Sequence, residues 1–416
     1  MKQNFRIFAV VAVLLVAIAS CSKEDGVGIP EPATPQEVSY RVSVKDALRS
    51  ADDILNAGDR ATRSVERKVK STELYVAKPA TRSNDGVEVS FYLINYEDNA
   101  GYALVSTDKR ATPVYMYADE GNITTAAFEE VPPMAIFMEE AIANYEIEVA
   151  SSGIDGPIDI GIPGTGTIGD YTDFVDGILC HIDIDTLTVT KAPLCQTRWS
   201  QDYPYNYLCN QRPVGCGPVA IAQVMAYYRH PEQLSNSTLA YDWDMMLSQP
   251  YFSSIGDEGA FDTAIFLRAV GDAAGADYSN NNIDPESDPG TGVHPSVLAP
   301  TLSSFGYTTN GLTNFYSWEV ESEIDSNRPV LAVGYNFDDI GHAWIIDGYT
   351  RYEYTISCYY AIEPFALYKR MNGGSDVYLS NNVGFGPDLY ESYRYSTLEM
   401  FIYNRDVVTG IQPIQQ

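Results

Sequence analysis

The chain has 416 residues, 45% of them apolar, 12% aromatic and 20% charged, with a formal net charge of −30. That length calls for two or three domains around a sizeable core and excludes wholesale disorder. The acidity excludes a nucleic-acid partner, which needs clustered Lys and Arg, and it disfavours adhesion to anionic lipid head groups.

The first residues read as a targeting signal. A basic stretch, Met1 to Arg6, precedes the apolar run Ile7 to Ala19, which is too short to span a bilayer. The run ends in Ile18-Ala19-Ser20-Cys21, with small residues before a cysteine as in a bacterial lipobox. Residues 1–21 are therefore expected to be a lipoprotein signal peptide, with Cys21 as the lipidation site. The expected location is the outer membrane or cell surface, reached only through the lipid, with release after maturation as an option. Residues 22–37, acidic at first and then rich in Pro and Gly, read as a flexible tether.

Residues 38–150 have the pattern of a small α+β unit. Val44, Ala47, Leu48, Ala51, Ile54 and Leu55 recur at helical spacing across 43–58. Strand-like runs follow at 74–76, 90–95, 101–106 and 114–117, with a hairpin-like turn at 97–100. Pro132-Pro133 opens a helix carrying Ile136, Phe137, Ala141 and Ile142. Residues 151–174 are Gly-rich without periodicity and read as a linker. Residues 175–416 read as a larger domain, starting with strand-like runs around 182–189 and ending in a series of short strands.

The chemistry lies in that larger domain. From Pro218 the apolar residues Ile221, Val224, Met225 and Tyr228 mark a buried helix, and Gly215 and Gly217 flank Cys216 at its start. A thiol at a helix N-terminus meets the positive end of the dipole and free N–H groups, which favour thiolate. A nucleophilic thiolate needs a base, and the chain has four histidines. His181 and His294 fall in expected loops or strand edges, and His230 lies at the far end of the Cys216 helix, about 20 Å away. His342 opens an apolar strand, Ala343 to Tyr349, whose expected hairpin partner is Pro329 to Tyr335. A Cys on a helix facing a distant His on a sheet is the papain-type layout.

With Cys21 and Cys216 assigned, Cys180, Cys195, Cys209 and Cys358 remain, and Cys180 with Cys195 is one candidate disulfide among several. No CxxC pair and no HExxH helix appears, so neither a metal nor another cofactor is expected.

The chain resembles the streptopain-like cysteine peptidases of the papain clan. The resemblance rests on Gln201 before Pro204-Tyr205-Asn206, Gly215-Cys216, Ala222-Gln223-Val224-Met225, Tyr241-Asp242-Trp243, Gly341-His342-Ala343 and Asp347-Gly348-Tyr349. Gly101 to Asp108, Pro113-Val114 and Asp119-Glu120-Gly121 resemble the family's inhibitory propeptide. This implies an α+β fold of papain-like type, a helical subdomain plus an antiparallel sheet subdomain, preceded by a small α+β propeptide domain. It implies a zymogen of a cysteine endopeptidase with Cys216 as nucleophile, His342 as base and Gln201 as oxyanion donor. Backbone around Gly341 would touch substrate, and Asn382 would orient the base. Its partners would be protein or peptide substrates, and its own propeptide as an intramolecular inhibitor. The family's two Trp residues after Asn382 are replaced by Val383 and Phe385, and 352–369 read as a Tyr-rich insertion. A rival reading is a non-catalytic surface-binding lipoprotein retaining the fold. Another is acyl transfer at the same Cys–His pair.

Overall fold

The structure, a computed structural model, describes residues 40–57, 67–77, 88–151, 171–175, 178–233, 240–279, 291–335, 341–362, 365–370, 374–386, 390–395 and 405–414. The signal segment, Cys21 and the tether lie outside the described residues.

Helix α1 (Val44–Ala57) begins where the Ser43 hydroxyl accepts the Asp46 N–H (3.1 Å) and donates to the Asp46 carboxylate (2.6 Å). It buries Ala47, Ala51, Ile54 and Leu55 on strands β2 (Ser90–Tyr96), β3 (Tyr102–Ser106) and β4 (Val114–Ala118), outside which lies β1 (Val69–Val76). The short α2 (Ala127–Glu130) leads into α3 (Pro132–Ser151), which covers the opposite face with Met134, Phe137, Met138, Ala141 and Tyr145. Strands covered on both faces read as continuous apolar runs rather than alternating ones, and β2, β3 and β4 do. The β2–β3 turn places Asp98 and Asn99 in the left-handed region, which these two residue types tolerate. At Gly101 (φ 100°) a Cβ would stand 2.0 Å from the Ala118 carbonyl oxygen, so the turn requires glycine.

The rest of the chain runs β5 (Tyr171–Val175), β6 (Ile178–Lys191), α4 (Cys216–Tyr228), α5 (Trp243–Met246), α6 (Ala260–Ala274), α7 (Leu298–Ser304), β7 (Tyr307–Thr308), β8 (Leu312–Asn314), α8 (Ser317–Asp325), β9 (Val330–Tyr335), β10 (Gly341–Ile362), β11 (Phe365–Arg370), β12 (Gly374–Asn382), β13 (Tyr390–Tyr395), β14 (Asp406–Val408) and β15 (Gln412–Pro413). Helix α4 is apolar all round, and Val219 to Ala226 are all buried between α6, α7 and the sheet.

Two features add to the sequence reading. Strand β5 (Tyr171–Val175) overlaps the last four residues of the stretch read as linker, where Tyr, Thr and Phe restore β propensity. The described residues of the Tyr-rich 352–369 lie in the outer half of the 22-residue β10 and in β11, and Tyr349 to Tyr360 of β10 also pair with β6.

The sheet is also shared. Among the described residues thirteen strands form one sheet, in the order β1-β2-β3-β4-β13-β12-β10-β9-β14-β8, with β6 and β11 on the outer half of β10 and β5 on β6. The N-terminal unit joins the larger domain through β4 and β13, with Tyr117 opposite Ser392 and Met116 opposite Tyr393. At that seam the Tyr378 hydroxyl donates to the Val114 carbonyl (3.1 Å), and its ring meets Tyr117 edge-on. Helix α3 makes a second junction. Its Ile136 packs beside Gly334 and the Trp344 indole, and its Glu140 pairs with Arg405, whose guanidinium lies over Trp344. Glu120 pairs with Arg198 at 2.5 Å in a third.

The Glu140 and Arg405 side chains are 17% and 14% exposed. Removing one partner of such a sheltered pair strands the other charge, at a cost of roughly 3 kcal/mol. Glu140→Ala and Arg405→Ala should each lower the urea midpoint of the full chain, and the double variant should lose much less than their sum. Additive losses would show that the pair is not coupled.

Candidate active site

Cys216 is the first residue of α4, after Gly215 with φ 98° and ψ 138°. His342 enters from the other side as the second residue of β10, 3% exposed and paired in the ladder with Gly334 of β9. The two side chains meet in a hydrogen bond. The imidazole Nε2 lies 2.8 Å from the Val383 carbonyl oxygen. A carbonyl only accepts, so Nε2 carries the hydrogen and Nδ1 is left to face the sulfur. Burial opposes ionisation of the Cys216 thiol. The His342 charge, the His342 hydrogen bond and the N–H groups of Ala343 and Gly217 outweigh it, so the thiol titrates below its ordinary value.

The other described thiols go the opposite way. Burial and the Asp347 carboxylate push the Cys195 thiol well up, and burial pushes Cys209 up to about 11. Only Cys216 among these three is held toward thiolate. Cys195 and Cys209 are both free thiols, so the candidate Cys180–Cys195 disulfide is not formed. The Cys195 sulfur is instead hydrogen-bonded to the buried Asp347 carboxylate, which also accepts the Cys195 N–H at 3.0 Å. Cys180 and Cys358 stand on β6 and β10, and their side chains lie outside the described residues.

Asn382 does not reach the imidazole directly. Its amide donates to the Thr197 carbonyl (2.6 Å) and faces the Gln223 amide in a reciprocal pair, 3.1 and 3.3 Å. The Gln223 oxygen also accepts the Trp199 N–H at 3.0 Å. Gln201 follows two residues later. It is half-buried, its carbonyl accepts the Val214 N–H at 2.8 Å, and its neighbour Ser200 bridges to Phe385. Gly341 is exposed at the start of β10, and a Cβ there would meet the Tyr335 ring at 2.6 Å. Two aromatic rings flank His342: Phe385 at 5.4 Å, tilted by 34°, and Trp344 at 6.2 Å, nearly parallel. An indole therefore lies beside the base, supplied by β10 two residues after the histidine.

The remaining histidines are elsewhere. His230 bonds the Phe305 carbonyl and meets Tyr307 edge-on, while His294 bonds Ser296. His181 stands inside β6, between β5 and β10. Among the described residues no group of three or more His, Cys, Asp or Glu comes together to hold a metal, and no helix is long and apolar enough to cross a membrane.

Sequence reasoning did not single out the Val383 carbonyl, since a main-chain acceptor leaves no mark on residue identity. It missed Gln223 as a tie between segments, although a Gln inside an apolar helix is itself a signal of a satisfied buried amide.

A thiol biased toward thiolate at a helix N-terminus, in contact with an oriented imidazole, is an arrangement suited to nucleophilic acyl chemistry. Comparison with known proteins agrees: residues 199–361 match the Peptidase C10 family, and residues 39–144 match the Spi protease inhibitor. The thiol protease/hemagglutinin PrtT of Porphyromonas gingivalis is 24% identical over 310 residues, covering 66% of this chain. The chain spans 32% of that relative's length. Among solved structures, a prointerpain A fragment from Prevotella intermedia is similar at 18% identity with a TM-score of 0.48, covering 83% of this chain and all of that one.

Replacing His342 removes the charge and hydrogen bond that favour the thiolate, so the pKa of Cys216 should rise toward that of a free thiol. With the N-terminal unit removed, wild-type Cys216 should react with iodoacetamide faster at about pH 7 than an ordinary thiol, which is only a few per cent ionised there. In His342→Ala the rate at that pH should fall about tenfold, and its midpoint should move upward. Superimposable profiles would show that the pair does not set the reactivity.

Proposed function

We propose that the chain is the zymogen of a cysteine endopeptidase of papain-like type, exported as a lipoprotein through Cys21 and released from inhibition when residues 38–150 are removed. The observation that carries this is the Cys216–His342 contact, with Nε2 of the base occupied by the Val383 carbonyl.

In this reading each group has a defined role. The Cys216 thiolate attacks the scissile carbonyl, and Nδ1 of the protonated His342 delivers its proton to the leaving amine. The same nitrogen then takes a proton from water as it attacks the thioester, and the carboxylic product leaves. The oxyanion would lie between the Cys216 N–H and the Gln201 side-chain amide, and the strand start at Gly341 would hold the substrate backbone. Asn382 acts through its neighbours: by fixing β12 against α4 and the 197–201 segment it sets where the Val383 carbonyl stands.

The N-terminal unit grips both segments that carry the site, Arg198 near Gln201 and the Trp344–Arg405 cluster behind His342. Because the Cys–His pair is already in contact with this unit docked, activation calls for its removal rather than for assembly of the pair.

The test compares the chain lacking residues 1–21 with its Cys216→Ala variant. Wild type, alone or after an added protease clips the linker, should lose the residues up to about position 150, label at Cys216 with a thiol-directed epoxide and cleave casein. The variant should do none of these unaided and should remain inert after clipping. A freed wild-type domain that neither labels nor cleaves would overturn the peptidase reading. Phase partition of the full chain from cells into detergent, lost in Cys21→Ser, tests the anchor.

A further inference from the structure

The segment that delivers the nucleophile turns on Gly215, whose positive φ no local steric barrier enforces. The direction of the Val214–Gly215 peptide, and with it the N–H of Cys216, therefore has to be held from outside. On one side the Val214 N–H donates to the Gln201 carbonyl at 2.8 Å. On the other the Val214 carbonyl accepts the Tyr278 hydroxyl at 2.6 Å, in a wholly buried bond. Val214 is thus clamped between the residue proposed as oxyanion donor and a tyrosine just beyond α6.

Tyr278 is built for that one contact. It is 2% exposed, and its ring lies under the Arg268 guanidinium, 4.7 Å away. Its own carbonyl accepts the Asn210 amide at 2.8 Å, and Arg268 donates to the Leu208 carbonyl at 2.8 Å, so the same group also fixes the start of the loop. Space for the hydroxyl exists because residue 271 is glycine: a Cβ there would lie 1.9 Å from the Tyr278 oxygen. The Cys209 thiol, which burial keeps protonated, also lies beside that oxygen.

Resting on the peptidase reading above, we infer that Tyr278 is a positioning residue: its hydroxyl sets the Val214–Gly215 peptide so that the Cys216 N–H and Gln201 converge on one oxyanion. The group touches neither substrate nor the Cys–His pair, so its loss separates oxyanion stabilisation from thiolate formation.

In Tyr278→Phe, activated by linker cleavage, kcat on a peptide substrate should fall about tenfold, with KM within twofold of wild type. The pH profile of Cys216 alkylation should not move, and amide exchange across 214–216 should quicken. A kcat within twofold of wild type, or an alkylation profile that shifts along with kcat, would overturn the inference. If the processed wild type shows no turnover, the peptidase reading fails, and unchanged amide exchange in the variant then overturns the clamp as well. Should Tyr278→Phe not fold, Gly271→Ala, whose Cβ would press on the Tyr278 hydroxyl, tests the same clamp: unchanged kcat and unchanged exchange at 214–216 would overturn it.

Discussion

A single buried amide pair, Gln223 with Asn382, holds the active region together. Each side chain is almost fully shielded, and their polar atoms are spent on one another, the Trp199 N–H and the Thr197 carbonyl. Three segments distant in sequence meet there: the helix that begins at Cys216, the end of β12 that leads to Val383 and Phe385, and the stretch that leads to Gln201. A buried amide left unpaired costs about 1–3 kcal/mol, so the network is stable only when all three segments are in register. Dependence on complete satisfaction lets the fold bring the Cys216 helix, the Val383 carbonyl that bonds His342 and the Gln201 segment to one place.

The electrostatics of the three described thiols follow from the same placement. Burial alone would keep every one of them protonated. Only Cys216 has both a helix N-terminus and an imidazole to offset it; Cys195 faces the Asp347 carboxylate, and at Cys209 burial outweighs the nearby Arg268. The docked N-terminal unit leaves this pattern intact. It reinforces the scaffold by adding strands to the sheet and by packing α3 on the indole next to the base.

Much of this was legible in the sequence because it is local. The helix at Cys216, the hairpin leading to His342, the strands of the N-terminal unit and the Pro132-Pro133 helix start are written in periodicity, capping and turn chemistry. What was not legible depends on register between remote segments. The shared sheet needs Tyr117 opposite Ser392, which no pattern in either strand announces. That the run 352–369 would extend β10 and pair with β6 and β11 is defined only once those strands are in register. The sequence shows Val383 and Phe385 where the family has Trp, but the nearly parallel indole of Trp344 beside His342 is visible only when β10 is folded. Asn382 was read as the orienting group, whereas the acceptor on Nε2 belongs to the main chain of the next residue.

The β4–β13 seam also fixes what the protein becomes when its halves part. While joined, β13 has hydrogen-bonding neighbours on both sides; afterwards one flank offers a row of bare N–H and C=O groups, and Tyr378 loses the Val114 carbonyl. Such an edge is a template for any extended chain nearby, including a second molecule. Parting of the two units would therefore leave the larger domain with a flank through which it can pair with itself.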